Sequence, residues 1–165
     1  MLVLQFLLAS HYSKFNIKLM RKVVVTGGAG FIGSNLVDEL IDNGLEVIVI
    51  DNLSTGKKEN LNTGATFFQH DLSCINIDDL VDIFESVDVV FHLAALARVQ
   101  PSIEDPLPYH DANVTATLNI LYASTKANVK RVVYSASSSC YGNATKVPQN
   151  EKDETNPLSP YGLQK

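Results

Sequence analysis

Two kinds of apolar pattern alternate along this chain. "KVVVT" (22–26) is a continuous β-branched run ending in glycine, as expected of a strand buried on both faces of a parallel sheet. From Phe31 to about Asn43, "FIGSNLVDELIDN" places Ile32, Leu36, Leu40 and Ile41 at helical spacing, and Gly44 supplies the stop. "EVIVI" (46–50) predicts a second buried strand, and polar "DNLSTGKKENLNTGA" a loop. "TFFQ" (66–69) predicts a third strand, "IDDLVDIFES" a helix and "DVVFHLAA" (88–95) a fourth strand. A long helix is predicted from about Leu107 to Asn128, with Ala112, Leu118, Leu121 and Tyr122 in register, before a fifth strand, "KRVVYSAS" (130–137). Residues 142 to 160 hold three prolines and read as loop, and "PYGLQK" reads as the first turn of another helix, with Pro160 tolerated there.

Strands separated by helix-length crossovers predict an α/β fold with a doubly wound parallel sheet of the Rossmann kind. The 165 residues suffice for one domain, and 45% hydrophobic against 19% charged residues fits a globular protein. A net charge of −5 without a cluster of Lys and Arg argues against nucleic acid as a partner. The opening "MLVLQFLLAS" is too short to cross a membrane and lacks a preceding basic region, so no membrane association is expected. The domain is expected to begin at Met20, with residues 1–19 an extension outside the fold and residues 20–165 a cofactor-binding domain. Cys74 and Cys140 match no metal spacing, so reduced thiols, a cytoplasmic location and no metal are expected.

Candidate chemistry sits at the carboxyl ends of the predicted strands. Gly27, Gly30 and Gly33 follow the first strand and open the first helix; glycines there let backbone approach a pyrophosphate, met by amide N–H groups and the positive helix end. Asp51 ends the second strand, where a carboxylate hydrogen-bonds an adenosine ribose and repels a 2′-phosphate. NAD is thereby favoured, with Lys57 and Lys58 keeping NADP open. "HD" (70–71) can reach an adenine, "HLAALA" (92–97) allows close cofactor approach, and His92 reads as a structural residue at a strand end rather than a catalyst. "YSASSSCYG" (134–142) puts small hydroxyls at the fifth strand's end, suited to a proton relay. Tyr161 and Lys165 stand at i, i+4, about 5–6 Å apart between Cβ atoms on a helix. A tyrosine is a poor base at neutral pH, and an ammonium beside it favours the phenolate.

The ordered set "TGGAGFIG", "DNLS", "HD", "HLAA", "NVTATLNIL", "SASSSCYG" and "YGLQK" resembles the extended short-chain dehydrogenase/reductase family over residues 20–165, most closely its nucleotide-sugar 4-epimerases acting on UDP-glucose or UDP-N-acetylglucosamine. The resemblance implies NAD bound by Gly27, Gly30, Phe31, Ile32, Gly33, Asp51 and Asn52, adenine contacts from Asp71 and Leu72, and a lining from Leu93, Ala94 and Ala95. It implies that Asn113 supports the site, that Ser137 is the catalytic hydroxyl and Tyr161 the base, and that Lys165 assists Tyr161 and holds the nicotinamide ribose. The implied reaction is NAD-dependent epimerisation at C4 of a nucleotide-sugar, a UDP-hexose, through a transient 4-keto intermediate. Ser138 and Ser139 stand where related dehydratases and decarboxylases carry carboxylates, which argues for epimerisation without a second chemical step. The resemblance also implies homodimers of chains roughly twice the size expected of a single domain, so this chain is expected to be an amino-terminal fragment, truncated before the substrate-binding region. Arg98 and Ser102 are expected to face the substrate. A non-catalytic dinucleotide-binding module, an inactive fragment, and a related dehydratase or decarboxylase remain alternatives.

Overall fold

The computed structural model describes residues 20–143 and 148–165; the expected extension over residues 1–19 and four residues of the 142–160 loop lie outside them. Five parallel strands form one sheet: β1 (Lys22–Thr26), β2 (Glu46–Asp51), β3 (Thr66–Gln69), β4 (Val89–His92) and β5 (Arg131–Tyr134), in the order β3-β2-β1-β4-β5. Strand β1 pairs with β2 from Lys22↔Glu46 and with β4 from Val23↔Val89, so the sheet reverses its direction of winding at β1 and β4. Loops leaving the carboxyl ends of these strands diverge there and leave a crevice.

Alternation along the strands builds two cores. Val23 and Val25 face helix α1 (Phe31–Asp42) and pack with Leu36, Leu40, Val49 and Phe91. Val24 faces the other way and packs with Ile50, Val90, and with Leu80 of α2 (Ile77–Ile83) and Ile120. The apolar side chains of β1, β2 and β4 are thus covered on both faces of the sheet, each contributing roughly 1.5–3 kcal/mol of burial.

Strand β4 ends at His92 and β5 at Tyr134, earlier than their apolar runs suggest, and the chain beyond them crosses the cleft edge as extended loop. A short helix α3 (Val99–Glu104), hidden in the sequence by Pro101, precedes α4 (Pro106–His110). The long predicted helix is not uniform: a π-helical turn at Asp111–Thr115 separates α4 from α5 (Ala116–Lys126). Its buried face also differs from the expected register. Ala116, Ile120 and Ala123 meet the sheet, whereas Leu118, Leu121 and Tyr122 are exposed. The helix carries two apolar stripes, and the smaller residues allow the closer approach. Helix α6 (Pro160–Gln164) starts at Ser159, whose hydroxyl accepts the Gly162 N–H.

Candidate functional site

A cleft of about 370 Å³ lies at the carboxyl edge of the sheet. Twelve residues singled out from the sequence line it: Gly27, Gly30, Phe31, Ile32, Gly33, Asp51, Asn52, Asp71, Leu72, Leu93, Ala94 and Ala95. His70 and Ser135 complete its walls at the β3 and β5 sides.

The glycine loop is packed too tightly for side chains. A Cβ on Gly33 would stand 2.1 Å from the Gly27 carbonyl, and one on Gly27, at φ +70°, would stand 2.7 Å from the Ala94 nitrogen. Helix α1 begins at Gly30 with no side-chain cap and no acid in its first turn, so its positive end is left to a ligand. Asp51 is buried at the end of β2, where its carboxylate accepts the N–H of Ala29 at 3.0 Å and of Leu53 at 2.8 Å. These bonds fix an acid at the rim of the cleft. Lys57 pairs with Glu59 at 3.5 Å, and neither Lys57 nor Lys58 lines the cleft. Asp71 accepts the Ser73 hydroxyl at 2.6 Å and the Asn52 amide at 3.0 Å; the Ser73 hydroxyl is the main cause that holds its carboxyl below the usual range. The uncapped helix end, close-packed glycines and fixed acid together fit a dinucleotide.

Asn113, Ser137, Tyr161 and Lys165 stand outside that lining. The π-helical turn buries Asn113, whose amide bridges the Leu96 N–H (2.9 Å) and carbonyl (3.0 Å) and so ties the cleft wall to the helix. Ser137 accepts the Ser139 N–H and donates to the Ser139 hydroxyl at 3.1 Å, capping a 3₁₀ turn (Ser138–Tyr141). Gly162 seats α6 on that turn, since a Cβ there would stand 2.7 Å from the Ser139 carbonyl. The Tyr161 N–H donates to the Ser102 hydroxyl at 3.1 Å. Ser102 is fully buried between α3 and α6, so it anchors Tyr161 and does not face a substrate, contrary to expectation. Arg98 is exposed at φ +94°. Lys165 Nζ lies 4.6 Å from the centroid of the Tyr134 ring, and burial pushes its ammonium below the ordinary lysine range.

His92 accounts for itself structurally. Thr26 Oγ1 stands 2.7 Å from Nδ1 and accepts the Ala94 N–H, while Thr117 Oγ1 stands 2.9 Å from Nε2 and donates to the Asn113 carbonyl. With Thr117's proton committed, Nε2 must be the donor, and Nδ1 accepts from Thr26. Burial, and secondarily the Lys165 charge, pulls the imidazole down to about 4, so it stays neutral. Sequence reading missed three supports, Ser102 as an anchor, Gly162 as a close approach and Tyr134 beneath Lys165. A glycine immediately after Tyr161 was the available signal for the second; nothing local marked the other two. Among the described residues no cluster of His, Cys, Asp or Glu is arranged to hold a metal, both cysteines are free, and no helix is long and apolar enough to cross a membrane.

A family model described as the NAD dependent epimerase/dehydratase family matches residues 23–165. The UDP-glucose 4-epimerase of Lactobacillus helveticus is 41% identical over 141 residues, covering 86% of this chain and 43% of its relative. Among solved structures, the UDP-N-acetylglucosamine 4-epimerase of Methanobrevibacter ruminantium M1, in complex with UDP-N-acetylmuramic acid, is 45% identical with a TM-score of 0.82, covering 88% of this chain and 47% of that one. The UDP-glucose 4-epimerase of Brucella ovis in complex with NAD is 36% identical, also at 0.82, covering 87% and 44%. The chain therefore spans less than half the length of these relatives.

Proposed function

The chain belongs to the NAD-dependent epimerase/dehydratase family, and on that premise we propose that it supplies the NAD-binding and catalytic half of a nucleotide-sugar 4-epimerase. One observation carries this reading. Twelve of the residues expected to hold the dinucleotide line a single cleft, Asn113, Tyr161 and Lys165 standing outside its lining, and the helix that begins with Pro160 and Tyr161 packs against the turn capped by Ser137 at the β5 end of that cleft. When bound, NAD supplies reversible hydride acceptance from the sugar C4. Gly27, Gly30 and Gly33 admit the pyrophosphate to the helix end, Asp51 and Asn52 orient the adenosine ribose, and Asp71 and Leu72 flank the adenine. Tyr161 takes the proton of the sugar 4-hydroxyl and returns it after the 4-keto sugar has turned over. Ser137 shares that proton's hydrogen bond, and Lys165 holds the nicotinamide ribose and sets a positive field beside Tyr161.

The substrate is read as a UDP-hexose, the working assembly as a homodimer and the compartment as the cytoplasm. The exposed stripe of Leu118, Leu121 and Tyr122 supports pairing of copies, and the net charge of −5 supports the absence of a nucleic-acid partner.

The test uses a full-length relative carrying this sequence. Tyr161→Phe is expected to lower turnover of UDP-glucose by at least roughly a hundredfold, with NAD affinity retained. Retained turnover would remove the role assigned to the tyrosine. A second reading is favoured by the chain's limited span: a dinucleotide-binding module without catalysis. Calorimetric titration of the 165-residue chain with NAD beside an epimerase assay separates the two, since binding without turnover supports the module.

A further inference from the structure

We propose that Tyr134 is a positioning residue for Lys165, its ring seating the ammonium at the edge of the cleft. The inference rests on the cofactor reading above and adds to it a residue outside the recognised motifs.

Tyr134 ends β5, half-buried, with Ser135 beside it in the cleft wall. Lys165 Nζ lies 4.6 Å from its ring centroid, within the range of a cation over an aromatic face. Among the described residues no side-chain carboxylate pairs with Lys165, and the Tyr134 ring is the group over which this partly desolvated charge sits. The hydroxyl makes a second tie, donating to the Gln164 carbonyl at 3.5 Å, and the Gln164 side chain in turn accepts the Asn113 amide at 3.4 Å. Behind the tyrosine, His92 stacks at 5.7 Å between centroids and 27° between planes, locked by Thr26 and Thr117.

An aromatic seat suits the task given to Lys165. A carboxylate in the same place would hold the ammonium more tightly but cancel its field and occupy its N–H donors. A ring face attracts the cation through its quadrupole without a full negative charge, and N–H donors not turned to the ring stay available to ribose hydroxyls. The neutral His92 adds no competing positive charge to the stack. Both supporting residues belong to hydrogen-bonded strands of the sheet, paired His92↔Tyr134, whereas α6 is only five residues long. Tyr134 thus transfers the precision of the sheet to a short helix.

The test is a double-mutant cycle on NAD affinity, measured by calorimetry with the 165-residue chain. Tyr134→Leu keeps apolar bulk without the quadrupole and is expected to weaken NAD binding by roughly tenfold. Lys165→Met is expected to weaken it by at least as much, and the double variant to be no weaker than Lys165→Met alone. Tyr134→Phe restores the ring and is expected to bind within about twofold of wild type. Should Tyr134→Leu fail to fold by circular dichroism, Tyr134→Met carries the same comparison. Additive losses, or an aliphatic variant that binds like wild type, would overturn the inference alone. A wild-type chain that binds no NAD would overturn the cofactor reading and this inference with it.

Discussion

At the scale of single residues, His92 shows how burial and hydrogen bonding fix a charge state. Both ring nitrogens have partners, yet both partners are neutral hydroxyls, so nothing offsets the desolvation of an imidazolium. The unfolded chain binds a proton near the ordinary 6.5, whereas the folded chain resists until about 4. Between those values the unfolded state holds more protons, so this histidine's contribution is constant above 6.5 and falls as the pH drops toward 4. The fall from 6.5 to about 4 corresponds to roughly 3 kcal/mol. Urea midpoints measured at pH 7.5 and 4.5 should therefore differ clearly for wild type and much less for His92→Gln; equal differences would assign the loss to other groups. Asp71 and Asp88, both lowered, lose their contribution only at lower pH, beneath the ordinary carboxylate value of 3.8. The structural role of His92 was legible in the sequence because no cysteine or carboxylate stands at a metal-ligand spacing from it. Tyr134 was not legible, because its link to Lys165 closes over 31 residues and leaves no periodic trace. Ser102 was misread for a related reason: a serine after β4 suggests a cleft position, but α3 turns it inward onto α6.

At the scale of elements, the amino-terminal edge of the sheet depends on one acid. Asp88, just before β4, accepts the backbone N–H groups of Arg21 at 2.7 Å and Lys22 at 3.3 Å, and takes an ion pair from Lys130 at the start of β5. Three strands are thereby aligned by a nearly buried carboxylate, while the Lys130 side chain remains 74% exposed. Exposed ion pairs contribute about 0–1 kcal/mol, whereas stripping part-buried N–H groups of their acceptor costs up to about 1–3 kcal/mol. Asp88→Ala should thus lower unfolding stability by about 2–3 kcal/mol and Lys130→Met by less than about 1, read from urea denaturation. Comparable losses would mean that the ion pair, not the backbone clamp, holds the edge. The strands themselves were readable from their β-branched runs, since burial on both faces demands that composition. The interruption of the 107–128 helix was not. A π-helical turn adds one residue without breaking the apolar spacing, and the reason for it, the Asn113 amide meeting both backbone groups of Leu96, is a tertiary contact. The exposed stripe on α5 had the same origin: two apolar faces satisfy one period, and only packing against β4 selects between them.

At the scale of the whole molecule, the cleft draws its walls from the ends of all five strands, so a ligand there ties together parts of the chain that are otherwise joined only through the sheet. A ligand that binds only the folded state stabilises it by about 2.7 kcal/mol at a hundred times its dissociation constant. The choice between NAD and NADP can be read in that stabilisation without any turnover, which suits a chain spanning less than half the length of its relatives. On the proposed reading Asp51, at the ribose end of the cleft, decides it. Asp51 is held by two backbone N–H groups, so it cannot swing aside from a 2′-phosphate, and Lys57 is paired with Glu59 rather than turned into the cleft. Two negative groups at contact distance in a partly buried rim repel by more than the roughly 1.4 kcal/mol that makes a tenfold difference in affinity. The thermal midpoint should accordingly rise with NAD concentration, and NADP should need at least roughly tenfold more to give the same rise. Asp51→Asn should narrow the gap by removing the charge while keeping one acceptor for the loop. Equal responses to the two cofactors in the wild-type chain would show that Asp51 serves the Ala29–Leu53 turn alone and that selectivity for the dinucleotide lies elsewhere.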